Sequence, residues 1–136
     1  MKNIVLIFLL PFFLLSACNG HHHGTAEPVQ LDNGKRWQAN PETTSGIATM
    51  QAILARHEEG PSDAAARQAL RGELEAAFQN IFKQCTMKGE AHNQLHNYLL
   101  PMNPLFEKID GADAAESEAA VRKLKEHLAE YAAYFE

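Results

Sequence analysis

Residues 64–89, AAARQALRGELEAAFQNIFKQCTMKG, decide the fold. Leu70, Leu74, Ala77, Phe78, Ile81, Phe82 and Cys85 return every three or four positions, the spacing that puts apolar side chains on one face of an α-helix. Gly60-Pro61-Ser62-Asp63 precedes this stripe and Gly89 follows it, so the longest helix is expected between those two breaks.

The same period extends in both directions. Upstream, Asn40-Pro41 reads as an N-cap followed by proline in the first helical position. Ile47, Met50, Ile53, Leu54 and His57 then carry a helix to about Glu59. Downstream, Ala91, Leu95, Leu99 and Met102 make a third stripe, which Pro101 and Pro104 bend or end before Phe106 and Ile109. Asp110-Gly111-Ala112-Asp113 is a turn with a new cap. Beyond it, Ala120, Val121, Leu124, Leu128, Tyr131 and Phe135 form a fourth stripe, with Arg122, Lys123 and Lys125 on other faces.

No segment alternates with the period of two that a half-buried strand needs, and Asn33-Gly34, a hairpin-type dipeptide, has no strand pattern on either side. The expected fold is all-α. Residues 40–136 are expected to form an antiparallel up-down-up-down four-helix bundle, the economical arrangement for four amphipathic helices joined by short turns. Trp37, Tyr98, Tyr131 and Tyr134 are expected to pack rather than to line a ligand box.

Composition narrows the function. The chain has 136 residues and is 46% apolar, too apolar for a disordered polymer. It carries 12 Lys and Arg against 17 Asp and Glu, a formal charge of −5, and no basic stripe, which excludes nucleic acid as the default partner.

The N-terminus gives an address. Met1-Lys2-Asn3 supplies a positive charge, and the apolar run from Ile4 to Leu15 is too short to cross a bilayer as a permanent helix. The run ends in Leu15-Ser16-Ala17-Cys18, which resembles the lipobox of bacterial lipoproteins. That resemblance covers the first 18 residues. It implies cleavage between Ala17 and Cys18, a diacylglyceryl group on the Cys18 sulfur, and a cell-envelope protein anchored to the membrane by lipid. Asn19, rather than aspartate, after the cysteine implies the outer membrane by the sorting rules of such lipoproteins. The expected organisation is a signal peptide over 1–17, a lipidated cysteine and flexible tether over 18–39, and the helical domain over 40–136.

With Cys18 taken by lipid, Cys85 is a lone thiol in an oxidising compartment, to be buried, metal-bound, paired between molecules, or reactive. It opens the segment CTMKGEAHNQLH, residues 85–96. His92 and His96, four apart on a helix, project from one face. Cys85, Met87, His92 and His96 make a thiolate, thioether and imidazole set suited to copper(I) or zinc rather than to magnesium or calcium. His21, His22 and His23 in the tether are read as an accessory metal collector, and His127 is expected at the same end of the bundle as a further accessory ligand. Glu90 is the expected acceptor for a histidine N–H. Against this stands a packing reading, because Cys85 also continues the apolar stripe and unpaired cysteine is commonly buried.

Other chemistries are less well supplied. No Cys-x-x-Cys-His occurs, which excludes covalent haem. Met50 and His127, on the first and last helices, resemble the Met/His pair of cytochrome b562-like bundles, and that resemblance implies a noncovalent b-type haem in an electron carrier. His-Glu-x-x-His, Glu-x-x-His, Gly-x-Ser-x-Gly and a phosphate-cradling glycine loop are all missing, so the chain is expected not to be an enzyme. Cys85 with His92 lacks, in sequence, an oriented third group. Two functional classes follow: an envelope protein that sequesters, senses or delivers copper or zinc, with a metal-transfer partner; or a helical interaction module that docks an envelope partner.

Overall fold

The computed structural model describes residues 26–136, so the signal segment, Cys18 and His21–His23 lie outside the described residues. The rest is helical: α1 (Pro41–Glu58), α2 (Ala64–Gln84), α3 (Gly89–Leu99), a 3-10 turn (Leu100–Met102), α4 (Asn103–Ile109), α5 (Ala114–Ala129) and α6 (Tyr131–Tyr134). Among the described residues there is no strand, only two isolated bridges.

The helix starts follow the sequence signals. Asn40 occupies the N-cap position of α1 with extended backbone but without a side-chain bond to the helix N–H groups, and Pro41 takes the first helical position. Asp63 accepts the Ala66 N–H at the start of α2, and Asp113 accepts the Ala115 and Glu116 N–H groups at the start of α5. The third stripe is divided rather than bent: Pro101 falls in the 3-10 turn, where the ring blocks a continuous α-helical ladder, and Pro104 sits in the first turn of α4. The fourth stripe divides likewise at Glu130, leaving the short α6.

One core runs through these helices. Met50, Leu54, Leu74, Ile81, Leu99, Met102, Leu124 and Leu128 are fully buried in it, each apolar side chain removed from water stabilising by about 1.5–3 kcal/mol. α1 packs on α2, α4 on α5, α2 on α4 and α1 on α5. Gly46 lets α1 come close to α2, because a Cβ there would overlap the Ile81 side chain.

Residues 28–39, expected to belong to a flexible tether, are instead fastened to the helices as a strap. Asn33 and Gly34 both take positive φ in a two-residue turn closed by reciprocal Asp32–Lys35 backbone bonds of 2.8 and 2.9 Å. The chain then runs beside the C-terminus. Trp37 N–H donates to Tyr134 O, Glu136 N–H to Trp37 O, and Ala39 N–H to Glu136 O, at 2.8–2.9 Å. Val29, Trp37 and Ala39 pack against the core, and Trp37 Nε1 donates to Gln30 O at 2.6 Å. Backbone pairing of one residue with another 98 positions away leaves no mark on local hydropathy, which is why the strap reads as a tether in sequence.

Candidate functional site

The α2–α3 connection holds the sequence-predicted residues. α2 ends at Gln84, and Cys85 turns the chain into extended backbone with φ −67° and ψ 122°. Gly89, at φ +62°, then starts α3 in a left-handed conformation that glycine takes without the steric cost of a side chain. Asn40 fastens this connection from the start of α1. Its amide donates to Gln84 O at 3.1 Å, while its oxygen accepts from the Thr86 N–H at 3.4 Å and from Thr43 Oγ1 at 2.7 Å. Asn40 was legible as a cap but not as the brace of a loop 45 residues later.

Cys85, His92 and His96 meet in a line. Cys85 Sγ lies 3.6 Å from His92 Nδ1, and His92 Nε2 lies 3.0 Å from His96 Nε2. The two imidazoles cross edge to face with centroids 4.5 Å apart, and Phe82 closes the far side with its ring 5.4 Å from His96. All three polar side chains are half-buried. Burial, and secondarily the neighbouring His92, hold the His96 pKa below the ordinary histidine value. His96 is therefore a neutral imidazole at neutral pH, the form that can act as a ligand or a proton acceptor.

Protons couple the three groups. A single hydrogen occupies the short His92–His96 contact. If His92 supplies it, His92 Nδ1 is an acceptor for the Cys85 S–H. If His96 supplies it, His92 Nδ1 carries a hydrogen and donates to the sulfur. His96, which the four-residue spacing had placed beside His92, is thus an oriented third group for the Cys85–His92 pair. The sulfur–nitrogen separation also fits a metal edge: ligand bonds of about 2.3 Å to sulfur and about 2.0 Å to nitrogen in a tetrahedral array place S and N about 3.5 Å apart. His92 faces Cys85 with Nδ1 and His96 with Nε2, so one ion on the Cys85–His92 edge recruits His96 only after a ring rotates.

The remaining predicted residues lie elsewhere. Met87 is half-buried against the core, as is Cys85 in part. Glu90, expected beside a histidine, instead accepts from Gln94 Nε2 at 2.7 Å and Asn93 Nδ2 at 3.1 Å, and these bonds lower its pKa. Gln94 in turn accepts the Gln30 N–H of the strap at 2.7 Å. His127 forms a reciprocal clasp with Tyr98. Its Nε2 donates to Tyr98 O at 2.7 Å, the Tyr98 hydroxyl donates to His127 O at 2.8 Å, and the rings stack with centroids 4.6 Å apart. Met50, the other residue of the haem resemblance, is fully buried in the core, whereas His127 lines a surface cavity with Val29, Pro101 and Tyr134. Among the described residues no group of three or more His, Cys, Asp or Glu side chains converges in a ready-made metal cage.

Set against known proteins, the chain matches no family model, no curated protein and no solved structure at a significant level.

Proposed function

We propose that this chain is a lipid-anchored cell-envelope protein that binds one soft transition metal, zinc or copper(I), at Cys85 and His92, with His96 as the next donor. The observation that carries this reading is the 3.6 Å separation of Cys85 Sγ and His92 Nδ1, beside an imidazole kept neutral by burial. The half-buried setting also supports it, since a coordinated thiolate is shielded from the oxidation that a free one suffers. Met87, the fourth sequence-predicted ligand, stands in the same loop but packs against the core rather than beside the thiol and imidazoles. Lipidation at Cys18 and an outer-membrane address rest on the lipobox resemblance, and His21–His23 then act as a collector between membrane and site. Short connections and the α1–α2, α4–α5 and α1–α5 pairings support an antiparallel up-down-up-down bundle as the scaffold. Sequestration, sensing and delivery to an envelope partner all require such a site.

The test is metal analysis of protein purified without chelator, followed by zinc and copper(I) titration of the apo form, of Cys85→Ser and of His92→Ala/His96→Ala. One equivalent bound by the parent and lost in both variants is the expected result. Unchanged affinity in both variants overturns the reading.

A second reading is favoured by the same contact: a reactive thiol, with His92 as base and His96 orienting it. Alkylation by iodoacetamide separates the two. In metal-free protein a reactive thiol is alkylated faster than in His92→Ala at neutral pH, whereas for a ligand thiol added zinc is what changes the rate.

A further inference from the structure

A cavity of about 560 Å3 opens between the end of α1, the start of α2 and the face of α5 from Ala114 to Lys125, away from the thiol and imidazole line. Arg67, Arg122 and Lys125 line it against two carboxylates, Glu58 and Glu118, in a protein that is acidic overall. Lys125 and Glu58 neutralise each other through contacts of 2.6 and 2.8 Å. Neither Arg67 nor Arg122 makes an ion pair among the described residues.

Arg67 is the informative residue. Its Nη1 donates to Ser62 O at 2.9 Å, but its Nε is buried with no hydrogen-bond partner. A buried unpartnered donor is destabilising, and for a charged group more so. Arg67 is also the fourth residue of α2, whose first turn contains no acidic side chain. The positive end of the helix dipole therefore meets a cation there, with the Asp63 cap as its one acidic counterweight at that end of the helix. An oxyanion in the cavity would offset this charge, while the buried Nε itself stays out of its reach. Its oxygens would accept from the planar fork of donors and offset the charge. Val121 and Ala114 supply an apolar wall beside it.

We infer that this cavity binds a small soluble organic anion, its carboxylate or phosphate held by Arg67 and Arg122 and its apolar part against Val121. Glu118 limits the site to one such group, since a second anionic group would meet a carboxylate.

Calorimetric titration of the full-length protein in a non-ionic detergent tests this with benzoate and phenyl phosphate as probes. Benzyl alcohol, which keeps the ring without the anion, is the control. Saturable binding of at least one of the two anions with Kd tighter than about 1 mM, and none of benzyl alcohol, is expected. Arg67→Met and Arg122→Gln are each expected to weaken it about tenfold or more, while Cys85→Ser leaves it unchanged. Binding that survives in both arginine variants, or no saturable binding of either anion, overturns the inference. So does association with vesicles of anionic lipid in the absence of any binding of the soluble probes, which would place the oxyanion on a membrane. Thermal unfolding of each variant establishes that it is folded before its binding is read.

Discussion

Under the strap, where α3 meets α5, polar groups are spent on one another; in the cavity between α1, α2 and α5, Lys125 and Glu58 pair but the two arginines have no acidic partner. Tyr98 and His127 exchange two hydrogen bonds and stack, and Gln94 bridges Glu90 to the strap. Across the molecule Arg67 keeps a buried Nε without a partner. The fold thus satisfies its donors where the strap meets the C-terminal residues and leaves one unsatisfied in the side chain of Arg67, which lines the cavity. Polar residues in the first region are structural by this criterion, and those in the second are available for binding. The line of Cys85, His92 and His96 lies between the extremes, hydrogen-bonded internally yet able to exchange those bonds for a metal.

The largest effect is expected at the clasp. Tyr98 is almost fully buried, against Tyr131, Phe135 and His127. Tyr98→Ala removes that packing and is expected to cost about 3–5 kcal/mol in urea unfolding. Tyr98→Phe keeps the ring and leaves the His127 carbonyl without its hydroxyl donor, at about 1–2 kcal/mol. If both substitutions proved neutral, the clasp would be no tighter than the cavity, and the contrast between the regions would fail.

A smaller effect belongs to pH. Burial and His92 lower the pKa of His96 in the folded protein below its ordinary 6.5, so the unfolded chain takes up the proton first as the solution is acidified. This contribution is fully present above 6.5 and is lost as pH falls through that value toward the folded pKa. His96→Gln is expected to lose less stability than the parent between about pH 7.5 and about pH 5.5, because it lacks the group that titrates there. Urea midpoints of the two proteins at both pH values measure the difference. Equal losses would mean that His96 is as free to protonate in the fold as out of it, and hence a poorer metal ligand.

What the sequence reveals divides along the same lines. Helix faces are legible because burial imposes a period of three to four on residues such as Leu70, Leu74, Phe78 and Ile81. The nearness of Cys85, His92 and His96 is legible for a related reason, since a short connection and one helical turn separate them. Long-range backbone pairing is not legible. Trp37 looks like a tether residue because its partners, Tyr134 and Glu136, lie at the other end of the chain. His127 looks like an accessory ligand because only the fold brings Tyr98 to it. Arg67 carries a faint signal, a cation in a first helical turn that holds no acidic side chain beyond the Asp63 cap, but its buried nitrogen is visible only in three dimensions.

Arg67→Met is expected to have the smallest effect on stability and the most informative sign. Methionine has the helix propensity of arginine and a similar stem. The substitution loses the bond to Ser62 O, an exposed contact of modest value, and removes a buried unpartnered donor and a cation from the positive end of α2. The terms nearly cancel, so the expected change lies within about 0.5 kcal/mol of zero, or is stabilising. Urea unfolding without ligand measures it. A residue that the fold does not need, but that a bound anion does, should lose ligand affinity without losing stability, the reverse of Tyr98. A cost above about 1 kcal/mol would instead mean that the guanidinium holds the start of α2 in place, and the two regions would then differ only in degree.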